Sequence, residues 1–170
     1  MKFTIKQGEH YTNRRWWIWL NRRNRTRRLM YSVVLSANSW YSDKLVAYSG
    51  WNKIFGFGAW NHHADSARLV YKPDDLHEGR LLVAAYTYEA GIWTAREFSH
   101  TYVESARTMA IEAVHDADPS KTGYSFLCGC DQLFVRHPNP INVKKLWPYF
   151  GGHDRAYKDF SVTLKKILQP

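Results

Sequence analysis

Short runs that alternate apolar and polar residues, broken by Gly, Pro, Asn and Asp, recur along most of this 170-residue chain. That is the pattern of half-buried β-strands joined by turns. A first strand is expected over about residues 2–6. The run Arg15-Trp16-Trp17-Ile18-Trp19-Leu20 reads as a second, residues 21–25 as a turn and residues 28–36 as the return strand. Together they predict a hairpin with an arginine-rich tip.

Residues 37–65 carry a weaker pattern, with short strands or ordered loop at 39–42 and 53–58. A strand over 66–72 is closed by Pro73-Asp74-Asp75. Strands over 80–88 and 92–98 flank Glu89-Ala90-Gly91, the clearest hairpin in the chain. Residues 108–115 pose a conflict: Met109, Ala110, Ile111 and Glu112 favour helix by propensity. The surrounding strands and the Asp116-Ala117-Asp118-Pro119 turn favour strand, which is the reading adopted. Another hairpin joins 124–128 to 132–136 across Gly129, residues 146–152 form an ordered loop, and 160–164 form a closing strand. Ten or so strands with hairpin connections and no βαβ alternation predict an all-β, two-sheet antiparallel β-sandwich, with residues 1–170 as one domain.

Composition agrees and narrows the setting. Aromatic residues make up 16% of the chain, which suits pleated sheets and leaves rings to spare for a binding surface. The chain has no apolar run of about 18 residues, the length a membrane-spanning helix needs. Its start, Met1-Lys2-Phe3-Thr4-Ile5-Lys6, lacks the apolar stretch of a signal peptide, so a cytoplasmic location is expected. Cys128 and Cys130 are the only cysteines. They read as reduced thiols, and no second pair of ligands completes a zinc site. No metal and no cofactor are expected.

Charge adds a sharper feature. The net charge is +9, and residues 1–28 hold nine Lys/Arg against Glu9 alone, while the remainder is nearly balanced. So local a patch points to an anionic partner, although charge runs also occur as solvated turns. Arg14, Arg15, Arg22, Arg23, Arg25 and Arg27 interleave with Trp17 and Trp19. Arginine for phosphates and aromatics for base stacking is the composition of a nucleic-acid or nucleotide binder. Trp16, Ile18 and Leu20 are the set expected to face the core. That leaves Trp17 and Trp19 for solvent or for a homo-oligomer interface.

Two segments carry a resemblance. Lys53-Ile54-Phe55-Gly56-Phe57, followed by Asn61-His62-His63-Ala64-Asp65-Ser66-Ala67-Arg68, is similar to a pattern in an uncharacterised group of small bacterial and phage proteins. Leu146-Trp147-Pro148-Tyr149-Phe150-Gly151-Gly152, then Ala156 and Asp159, resembles the same group and the closing loop and strand of concanavalin-like jelly rolls. The chain departs in its Arg- and Trp-rich start and in Tyr157, where proline is expected. The resemblance implies a jelly-roll sandwich and supplies no catalytic residue. Its phage setting implies one concrete role, the sequestering of a nucleotide signal of host defence.

Period-two alternation puts Ser66, Arg68, Val70 and Lys72 on one strand face, and Tyr86 and Tyr88 on one face of another. If these strands are neighbours, Ser66, Arg68, Tyr86 and Tyr88 line one concave surface with His62 and His63 at its rim. Arg68 then offers a fork of donors to phosphate, and a tyrosine offers a stacking plane. The competing reading has the tyrosines in the core and Arg68 in a structural ion pair. Adjacent strand residues point to opposite faces, so His62 and His63 can share a site only from a loop.

Catalytic patterns are missing. The chain has no paired His-x-Thr/Ser elements, no nucleophile elbow and no phosphate-binding glycine loop. Glu104 and Glu112 are a poor match to a glycosidase pair. A non-enzymatic binder of a phosphate-bearing ligand, either a nucleotide, a cyclic oligonucleotide or nucleic acid, is therefore expected. A lectin-like carbohydrate binder and a protein-binding inhibitor or subunit that uses the Trp/Arg hairpin remain the alternatives.

Overall fold

Eleven strands arise among the residues that the computed structural model describes, namely 1–14, 16, 18, 23, 26–41, 50–151 and 155–167. They are β1 (Lys2–Ile5), β2 (Arg28–Leu35), β3 (Asn52–Gly58), β4 (Ser66–Pro73), β5 (Arg80–Glu89), β6 (Ile92–Tyr102), β7 (Arg107–Val114), β8 (Gly123–Cys128), β9 (Asp131–Arg136), β10 (Lys144–Leu146) and β11 (Phe160–Lys166). Every pairing is antiparallel. One sheet runs β1-β11-β2-β7-β8-β9 and the other β10-β3-β4-β5-β6. The two-sheet antiparallel sandwich expected from the sequence is therefore the fold, and it is compatible with a jelly roll.

Alternation explains the core. Leu29, Tyr31, Val33 and Leu35 of β2 point inward, as do Met109, Ile111 and Ala113 of β7 and Phe160, Val162 and Leu164 of β11. Phe55 and Phe57 of β3, Leu69 and Tyr71 of β4 and Leu81, Val83 and Ala85 of β5 meet them from the second sheet. Residues 107–114 form a strand because this inward set has period two; burial between two strands outweighs the helical propensity of Met and Ala.

The turns follow local chemistry. Ala90 and Gly91 both have positive φ, as the tight turn between β5 and β6 requires. Gly129, at φ 65°, opens the two-residue turn between β8 and β9. Cys128 is buried at the end of β8, Cys130 is exposed in this turn, and both thiols are free.

Among the described residues the N-terminal hairpin is not formed. The amide of Ile18 donates to the carbonyl of Arg14 at 3.0 Å, and Trp16 and Ile18 have helical backbone. Both edges of β2 are occupied, by β11 and by β7, which leaves no place for a hairpin partner. Trp16 is 79% exposed, against the expectation that it faces the core, whereas Ile18 does pack on the core. Arg15, Trp17, Trp19, Leu20, Arg22 and Arg25 lie outside the described residues.

The central strands of the five-stranded sheet are buried on both faces. Besides the core side, Val70, Ala84 and Tyr86 form a small apolar cluster on its outer face, with Trp51, Tyr88 and Ala95 against it.

Candidate functional site

Strand register organises the outer face of the five-stranded sheet into cross-strand rows. One row reads Lys144, Gly58, Ser66, Tyr88, Trp93. The next reads Leu146, Gly56, Arg68, Tyr86, Ala95. A third holds Lys53, Val70, Ala84 and Glu97, and Lys53 also bridges Tyr149 of the closing loop. Directly opposed residues share a face, so Arg68, Tyr86 and Tyr88 come together as expected.

A cleft of about 660 Å³ lies over these rows, within the range of roughly 300–1,000 Å³ usual for small-molecule sites. Arg68, Tyr86 and Tyr88 line it with Lys53 and Lys144, and the closing segment contributes Trp147, Pro148, Tyr149 and Gly151. Tyr11, Thr12 and Ile18 approach from the N-terminal segment, and His62 and His63 from the loop between β3 and β4. The two histidines share the site because they lie in that loop, where the Asn61 side chain accepts the His63 amide at 3.2 Å. Their rings are 4.3 Å apart, and His63 meets Tyr88 edge-on at 5.5 Å. Ser66 has the right register but is fully buried beneath the cleft and does not line it.

Arg68 is the unusual member. It is only 7% exposed, and among the described residues no carboxylate lies within ion-pair range of it. Its Nε has no hydrogen-bond partner. The groups that act on its charge are phenols, those of Tyr86, Tyr88 and Tyr149. Burial pulls its pKa down to about 10, so the guanidinium stays charged at neutral pH. An uncompensated buried cation is costly in a folded protein, and it is tolerated where an anion completes it.

Lys53 sits beside it. The ammonium donates to the carbonyls of Trp51 at 2.7 Å and Gly151 at 3.2 Å and lies over the rings of Tyr86 and Tyr149, at 5.3 and 5.8 Å. Burial first, and Arg68 second, lower its pKa to about 8. His62 is held down to about 4, by burial and then by Arg68, His63 and Lys144, so it is neutral at neutral pH. No Asp or Glu occurs among the described residues lining the cleft. The arrangement can hold an anion against charged and aromatic groups. Among the described residues, no three His, Cys, Asp or Glu side chains gather as a metal-ligating set.

Asn52 fixes the closing loop over the cleft. Fully buried, its side chain accepts the Gly151 amide at 3.0 Å and donates to the Tyr41 hydroxyl at 3.1 Å. Asn52→Ala removes both hydrogen bonds and should cost about 1–3 kcal/mol, seen as a fall of several degrees in the thermal melting midpoint. An unchanged midpoint would mean that the loop is held by other contacts.

The sequence reading missed Lys53, Lys144, Tyr11 and Tyr149. A usable signal was present for Lys53: the outer-face positions after it, Gly56 and Gly58, carry no side chain, which marks a close approach. The expected arginine surface is only partly described. Arg14, Arg23 and Arg27 are exposed, and Arg23 forms an antiparallel bridge with Lys144. No family model, no curated protein and no solved structure matches the chain, so the assignment of this cleft rests on its own residues.

Proposed function

We propose that the protein binds a phosphate-bearing small ligand, a nucleotide in the simplest case, in the cleft on the outer face of the five-stranded sheet. The observation that carries this reading is the buried Arg68 guanidinium at the cleft floor, with Lys53 and Lys144 nearby and no carboxylate among the described lining residues. A phosphate would supply the missing counter-charge and accept charge-assisted hydrogen bonds from Arg68. The half-buried ring of Tyr88 offers a surface for a base. A neutral sugar would leave the Arg68 charge uncompensated, which disfavours the carbohydrate reading.

The test is calorimetric titration of the purified protein with inorganic phosphate, a nucleoside and the matching nucleoside monophosphate. Binding of the monophosphate but not of the nucleoside supports the reading; equal binding of both, or of neither, overturns it.

The pH dependence has a definite sign. In the empty cleft Lys53 loses its proton at about 8. A bound anion favours the ammonium form and raises that value, so binding takes up a proton at higher pH. Affinity should therefore be flat below about 8 on account of this group. Above it, affinity should fall by up to about tenfold per pH unit until the bound-state value is reached. Lys53→Met should flatten the alkaline limb. An alkaline limb that persists in the variant would assign it to another group.

A further inference from the structure

We infer that the ligand is a short oligonucleotide with at least two phosphates, one seated at Arg68 and Lys53 and the next at Lys144 and Arg23. This inference rests on the phosphate-binding reading of the same cleft and specifies its ligand.

The two cationic positions are separate places in the sheet. Arg68 and Lys53 lie on β4 and β3, in adjoining rows of the cleft floor. Lys144 lies on the edge strand β10, opposite Gly58, one row further along. Strands are spaced about 4.8 Å apart and residues about 3.3 Å along them. Arg68 and Lys144, two strands and two residues apart, are thus separated at the backbone by roughly 12 Å. His62, from the loop between β3 and β4, lines the same cleft as both.

The row through Lys144 extends beyond the cleft at both ends. On one side Arg23 bridges Lys144 through the backbone, which brings an exposed arginine to the cleft lip. The Asn142 side chain, donating to the carbonyl of Thr26 at 3.2 Å, holds the same two segments together. On the other side the row ends in Tyr88 and the half-exposed Trp93, whose ring stacks on Tyr86 at 5.5 Å with 9° between planes. A single nucleotide can engage one cationic position and one aromatic surface. A second phosphate is what the Lys144 and Arg23 lip is placed to receive. Base stacking on such platforms tolerates any base, so this geometry specifies phosphate number ahead of base identity.

The experiment titrates wild-type protein, Lys144→Ala and Arg68→Met with adenosine monophosphate, the linear dinucleotide pApA and cyclic di-adenosine monophosphate. Wild type should bind at least one dinucleotide more than tenfold tighter than the mononucleotide. Lys144→Ala should remove that advantage, weakening the dinucleotide at least about tenfold more than it weakens the mononucleotide. Arg68→Met should lose all three probes. Trp93→Ala, at an exposed ring, should weaken the dinucleotide by about tenfold, a check that does not depend on the lysine variant folding. A dinucleotide no tighter than the mononucleotide, with Arg68→Met still losing the latter, overturns this inference alone. So does a Lys144→Ala protein that weakens all three probes equally. No binding of any probe to wild type overturns the underlying reading as well. The linear and cyclic arms tell open from closed ligands.

Discussion

Arg68→Met is expected to leave the fold at least as stable as wild type while abolishing binding of a phosphate-bearing ligand. Arg68 sits buried at the floor of the cleft with an unpartnered Nε, facing the phenols of Tyr86, Tyr88 and Tyr149. Without bound anion it keeps a charge out of water and receives no ion pair from the described residues in return. Methionine has a similar length and no charge, and replacing buried ionic groups with apolar ones of similar volume is often neutral or stabilising by about 1–4 kcal/mol. The bound state reverses the balance, because each charge-assisted hydrogen bond lost costs about 1.5–3 kcal/mol, or more than tenfold in affinity. A thermal melt of the empty proteins and a titration with nucleoside monophosphate read the two effects separately. A structural arginine behaves oppositely: removing one member of a buried pair costs about 3–5 kcal/mol. If Arg68→Met melts far below wild type, Arg68 is part of the scaffold and the cleft loses its claim.

The second large effect is on the sheet that holds the site. Gly56 pairs with Arg68 across β3 and β4. A Cβ at this position would meet the carbonyl oxygen of Ala67 at 2.0 Å and the Cα of Arg68 at 2.7 Å. Both obstacles are backbone, so no rotamer relieves them, and one methyl group must push β3 away from β4. Overpacking costs typically about 1–3 kcal/mol and more where relaxation is blocked; Gly56→Ala belongs at or above the top of that range. For a chain of this length about 3 kcal/mol lowers the melting midpoint by roughly 6–12 °C. A midpoint within a degree or two of wild type would show that the two strands have more room than their register gives them.

Both predictions depend on register, and so does what was legible in advance. Arg68, Tyr86 and Tyr88 were grouped from the sequence because the hairpin at Ala90 and Gly91 makes β5 easy to place, and period two does the rest. Lys53 was hidden by a bulge. In a regular strand it would share a face with Phe55 and Phe57, which are core residues. The register shift between Lys53 and Phe55 turns it to the outer face beside Arg68. Lys144 and Tyr149 come from a segment some 80 residues beyond Arg68, and only tertiary packing brings them over the cleft. The Trp-rich run misled for another reason. Unbroken aromatic residues fit strand or helix equally well, and the two strands that flank β2 settle the matter at Trp16 and Ile18.

The helical turn at Ile18 and the bridge from Arg23 to Lys144 change the meaning of the basic patch. On a free hairpin tip it would be a site of its own. Beside β10, Arg23 continues the edge of the cleft. The most direct test of that single site is native mass spectrometry of wild-type and Arg68→Met protein purified from cells under gentle conditions. The account predicts that wild type carries a phosphorus-containing compound, released on denaturation, and that the Arg68→Met protein flies at its bare mass. A wild-type protein without such a compound, or an Arg68→Met protein carrying the same one, would contradict it.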